Sequence, residues 1–112
     1  MTNAELRDHR LACVHDRLDK LRKKLMLIRL YPKDPDPYLN FMISNLSESE
    51  VTFTKLSSMQ PLTIDIGKVA NITERSDSKI ADIELRGRVV WDGSQRAWAF
   101  MSRAAALQLH SR

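Results

Sequence analysis

The chain has a single cysteine, Cys13, among its 112 residues, so it can form no internal disulfide. That excludes a disulfide-stapled scaffold and fits a reducing compartment. Glycine is scarce at 3 residues and proline numbers 4, which excludes collagen-like and low-complexity chains. Gly67, Gly87 and Gly93 stand far apart, so there is no glycine-rich phosphate loop. No apolar run approaches the roughly 18 residues of a membrane-spanning helix. The opening MTNAELRDHR is polar and shows neither the apolar stretch nor the cleavage site of a secretory signal. These absences predict a soluble, cytoplasmic protein without transmembrane insertion.

What is present is ordinary globular material. Hydrophobic residues make up 43% and charged residues 29%, and the length suits one domain covering 1–112. Net charge is +4, and all of it resides in residues 1–31, which carry eight Lys or Arg against four Asp or Glu. Attraction to acidic partners is therefore expected of the N-terminal segment.

Leu11, Val14, Leu18, Leu21, Leu25 and Ile28 recur at alternating spacings of three and four, with Ala4 one heptad earlier. This a/d rhythm predicts a coiled-coil-like amphipathic helix over about 4–26, within a basic segment 1–31, capped by Thr2 or Asn3. Around Leu25–Ile28 the apolar character spreads all round, and periodicity does not distinguish buried helix from strand there. Pro32, Pro35 and Pro37 predict a loop over 32–37. Four β-rich stretches follow, Tyr38–Ser44, Val51–Leu56, Leu62–Ile66 and Ile80–Trp91, separated by polar clusters. They predict a small antiparallel sheet or sandwich. Asp92-Gly93-Ser94-Gln95 reads either as a hairpin loop that brings Trp91 near Trp98 or as a helix start. The alanines of 97–106 favour a C-terminal helix over about 95–109, so the fold class expected is α+β.

Candidate chemistry is sparse. His9, Cys13 and Asp16 share one solvent-facing helical stripe and are metal-ligand types, but a lone exposed trio without a second motif is ordinary polar surface; no metal and no cofactor is expected. No nucleophile, base and orienting group come together in the pattern, so the chain is read as non-enzymatic, with no catalytic residues. The basic helix is the feature that carries function. Arg10, Arg17 and Lys24 occupy g positions and Arg22 an e position, so like charges would meet in a two-stranded homodimer. With Lys20 they form the expected surface for an acidic protein partner or hetero-oligomer.

The order helix, strands, helix, with Gly93-Ser94-Gln95-Arg96 before Ala104-Ala105, distantly resembles a double-stranded RNA-binding domain. The lysine-rich start of that family's last helix is replaced here by Gln95-Arg96-Ala97-Trp98-Ala99. The resemblance implies the alternative function, RNA binding. Arg17, Lys20, Lys23, Lys24, Arg96 and Arg103 are the cations this alternative uses, and phosphate contact would make its affinity steeply salt-dependent. Tyr38–Ser47 is also similar to the early strands of immunoglobulin-like sandwiches.

Overall fold

The computed structural model describes residues 2–33, 38–75 and 77–102. Helix α1 spans Asn3–Lys23. Of the two caps the sequence allows, Thr2 is used: its hydroxyl accepts from the Glu5 N–H at 3.2 Å. The helix ends well short of residue 31, and the reason is a Schellman turn. The Met26 N–H donates to the Leu21 carbonyl at 3.2 Å and the Leu25 N–H to the Arg22 carbonyl at 3.1 Å. Leu25 takes the left-handed conformation, φ 54°, that glycine normally occupies. Without a glycine, the stop signal was invisible in the residue types. The buried side chains of Leu21 and Met26 supply the apolar contact that accompanies such a cap.

The chain then reverses into β1, Leu27–Lys33. The strands β2 (Tyr38–Leu46), β3 (Glu50–Lys55) and β4 (Gln60–Asp65) form an antiparallel meander, and a 3₁₀ turn, Ile66–Lys68, leads into β5 (Val69–Glu74). A long strand β6, Ile80–Asp92, and a last strand β7, Ala97–Ser102, complete the sheet. The strand order is β4-β3-β2-β1-β6-β5, with β7 also paired to β6. Three corrections to the sequence reading follow. Among the described residues the sheet has seven strands instead of four, and it is mixed, because β1 runs parallel to β6. Pro32 lies inside β1, at the point where the β1–β6 register breaks between Tyr31 and Lys33; a residue with no N–H is tolerated at such an irregularity. Residues 34–37 of the expected proline loop lie outside the described residues.

The third correction concerns the C-terminus. Ala97–Ser102 is a strand, not the first part of a helix, so the α+β order of helix, small sheet and helix is wrong. α1 is the only α-helix among the described residues, and the architecture is mostly β. Residues 103–109 of the expected helix are outside the described residues. Helix propensity of the alanines was overridden by pairing: β7 registers along β6 from Gly87↔Ser102 to Asp92↔Ala97. β6 thus holds β1 on one edge, and on the other it holds β5 along its first half and β7 along its second. Gly87 sits where the strand changes partner. A Cβ there would collide with the Phe100 ring and the Met101 carbonyl. The close approach swings β7 round to β4, where the Gln60 side-chain amide donates to the Arg96 carbonyl at 2.6 Å, and the sheet nearly closes into a barrel.

Alternate residues of β6, namely Ala81, Ile83, Leu85 and Val89, point inward with Ile28, Leu30, Phe41, Phe53 and Ile64. α1 completes this core. Leu18 and Leu21 are buried in it, and Leu11 and Val14 pack partly against it. The seam read as coiled coil is therefore filled by the chain's own sheet. Each fully buried large aliphatic contributes about 1.5–3 kcal/mol through removal from water, which favours docking over a free seam.

Two substitutions test these points by denaturant unfolding. Leu25→Gly should raise stability by roughly 0.5–1 kcal/mol, because it relieves a left-handed leucine that is 65% exposed and loses little burial. Gly87→Ala should lower it by about 1–3 kcal/mol through overpacking against Phe100. The opposite sign in either case would refute the corresponding turn or packing geometry.

Candidate interaction surface

Most of the cations expected to meet a partner are already engaged within the fold. Lys20 pairs with Asp16 at 3.2 Å, Arg22 with Asp19 at 2.6 Å and Lys23 with the same Asp19 at 2.9 Å. Lys24 reaches Glu74 on β5 at 3.1 Å, and Arg17 donates to the Ile72 carbonyl and so ties the helix to the same strand. Helical spacing explains the first three, since residues three and four apart are neighbours on one face. Such exposed pairs contribute little stability, yet they cancel much of the local field.

Arg10 differs. It lines a groove of about 290 Å³ between the first half of α1 and the 3₁₀ turn, together with Arg7 and, from β6, Arg86. Leu11, Val14 and Val69 add an apolar lining. Asp65, the one carboxylate among the described residues that line the groove, is turned onto the 3₁₀ turn and accepts from the Gly67 N–H at 2.7 Å. No ion pair engages Arg7, Arg10 or Arg86 among the described residues. Three guanidinium groups against one carboxylate give the groove a net positive charge. Leu6, 47% exposed, lies on the same projecting half of the helix. Arg7 was legible as the i−3 neighbour of Arg10, but Arg86 sits far along the sequence and only the fold brings it to the helix.

A wider cleft at the other end of α1 holds Lys23, Lys24, Arg75 and Lys79 against Glu74. Lys23, Lys24 and Arg75 are each paired, the last with Asp82 at 3.5 Å. Arg96 sits elsewhere, in the β6–β7 turn beside Gln60, so it is not brought together with the helix cations of the RNA alternative; Arg103 lies outside the described residues. His9 and Cys13 approach at 3.7 Å on the exposed stripe, while Asp16 is turned to Lys20. Among the described residues no three ligand-type side chains gather as a metal site.

The resolved electrostatic shifts belong to ion pairs and turns. Asp82 on β6 is held below the usual carboxylate range chiefly by hydrogen bonding to Arg29, which faces it across the parallel β1–β6 pair at 2.8 and 3.0 Å. Asp19 is lowered by Lys23 and then Arg22, and Asp92 by the Ser94 hydroxyl and the Gln95 N–H. No helix among the described residues is long and apolar enough to cross a membrane. No protein-family model, no curated protein and no solved structure matches this chain.

Because the folded-state pKa of Asp82 is depressed, the stability it contributes is present above the unfolded carboxylate value and is lost as pH falls through the folded one. Asp82→Asn should therefore be less stable than the parent at pH 7, with the gap closing as the pH falls below the ordinary carboxylate range. Thermal melts across that range check it. Parallel acid profiles for the two proteins would show that the Arg29 pair contributes nothing.

Proposed function

We propose that this chain is a non-enzymatic protein–protein interaction module that receives an acidic segment of a partner along the first half of α1. The observation that carries the reading is the contrast along the helix. Cations of its second half are neutralised in place, whereas Arg7 and Arg10 join Arg86 around an apolar-lined groove with no ion pair among the described residues. Guanidinium groups bind carboxylates through paired N–H donors, and the groove's Leu11, Val14 and Val69 offer burial to an aliphatic side chain beside the acid.

Electrostatic attraction of this kind acts mainly on the rate of encounter. A fluorescent peptide rich in Glu and Leu serves as probe, followed by stopped flow across ionic strength. Arg7→Glu with Arg10→Glu and Arg86→Glu should slow association at least about tenfold at low salt, whereas Lys20→Glu with Lys23→Glu should change it less. Equal effects of the two sets, or tighter binding of single-stranded polyuridylate than of the peptide, would overturn the reading.

A further inference from the structure

The opposite end of β4 carries a second surface. Five large apolar side chains are exposed among the described residues, and three of them lie on two neighbouring hairpins: Leu56 at 41% and Met59 at 68% in the β3–β4 turn, and Trp91 at 51% at the end of β6. The two hairpins are locked side by side. Gln60, the first residue of β4, donates to the Arg96 carbonyl at 2.6 Å, and the Lys55 ammonium stands 4.9 Å from the centroid of the Trp98 ring. Trp98 in turn meets Trp91 edge-on, with centroids 5.3 Å apart. Leu56, Met59 and Trp91 are therefore held on adjoining tips by contacts within the fold.

We propose that these two hairpin tips form a contact site for the surface of an anionic lipid bilayer. A tryptophan beside aliphatic side chains is the composition that partitions into the headgroup–acyl boundary, and flanking cations add attraction to anionic headgroups. Arg96, exposed in the β6–β7 turn, provides such a cation. The β3–β4 turn contains no acid, and Asp92, the acid at the β6–β7 turn, is turned inward onto the Ser94 and Gln95 N–H groups. A second copy of the chain fits less well, because a symmetric contact would set Arg96 of each copy against a like charge. Stacked nucleobases fit less well too, since Leu56 and Met59 offer no flat ring.

Both tips are bent at residues other than glycine: Met59 has φ 56° and Arg96 φ 51°. Glycine would adopt that left-handed conformation at lower cost, so an exposed methionine at the bend is unfavourable both for the backbone and for solvation. Met59→Gly therefore removes the apolar side chain while favouring the turn, which separates binding from folding.

The test is sedimentation of the full chain with vesicles of phosphatidylcholine alone and with about a third phosphatidylglycerol, the latter giving the negative surface the cation requires. The parent should bind the anionic vesicles and bind the neutral ones far more weakly. Met59→Gly with Leu56→Ser should lower binding about tenfold or more without lowering the melting temperature, and Trp91→Thr should weaken binding as well. In a Trp98→Phe background, Trp91 emission should shift to shorter wavelength on binding. Arg7→Glu with Arg10→Glu, in the groove at the other end of β4, should leave at least half the binding, so this result stands apart from the peptide experiment. No binding to anionic vesicles, equal binding to neutral ones, or a concentration-dependent dimer abolished by Met59→Gly would overturn the proposal. So would polyuridylate binding that depends on Trp91 and exceeds vesicle binding.

Discussion

The backbone pairing of β6 is the constraint on which the rest of the structure depends. One strand of 13 residues holds β1 in parallel on one edge and, on the other, β5 and then β7. The meander β2–β4 hangs from β1, so the position of every other strand is set through β6. The parallel pair joins a strand near the start of the chain to one near its end, a closure that burial must offset in entropy. Inward-facing Ile83, Leu85 and Val89 supply that burial, and Arg29 clamps Asp82 across the same pair. At Gly87 the strand gives up its side chain, which lets Phe100 approach and brings β7 to β4.

Several separate elements were legible in local pattern, but the way β6 joins them, and with it the fold class, was not. Thr2 as cap, Leu18 and Leu21 as a buried stripe, and strands near 38–44, 51–56, 62–66 and 80–91 all follow from residue type and spacing, which are local properties. Strand β1 depends on a partner distant in sequence, whereas β5 and β7 pair with β6 across short connections and were hidden by polar and alanine-rich composition. Leu27–Lys33 has an apolar run that suits either helix or strand, and only a left-handed leucine at position 25 separates it from α1. Ala97–Ser102 has helical composition but is captured by β6, and the hairpin reading of Asp92–Gln95, which placed Trp91 near Trp98, is the one the chain adopts.

The candidate site shows the same division. A count of charges located the excess at the N-terminus, but it could not separate cations answered by their own helix from those left to face outward. Asp16 and Asp19 answer Lys20, Arg22 and Lys23 by helical spacing alone, a pairing that was available in the sequence. Arg86 was not available, because its place beside Arg7 and Arg10 is a product of the sheet. The fold also sets the two exposed surfaces at opposite ends of β4, the basic groove at Asp65 and the apolar tips beside Gln60. Each is built on a turn that the sheet holds in place.

β6 and the second half of α1 form one cooperative core from which the first turns of the helix project. Native-state hydrogen exchange reads this residue by residue. Amides of residues 81–89 and 16–22 should exchange slowest, near the free energy of global unfolding, while those of residues 6–10 should exchange much faster by local opening. Uniform protection along α1, or β6 amides that exchange as fast as those of β4, would contradict it.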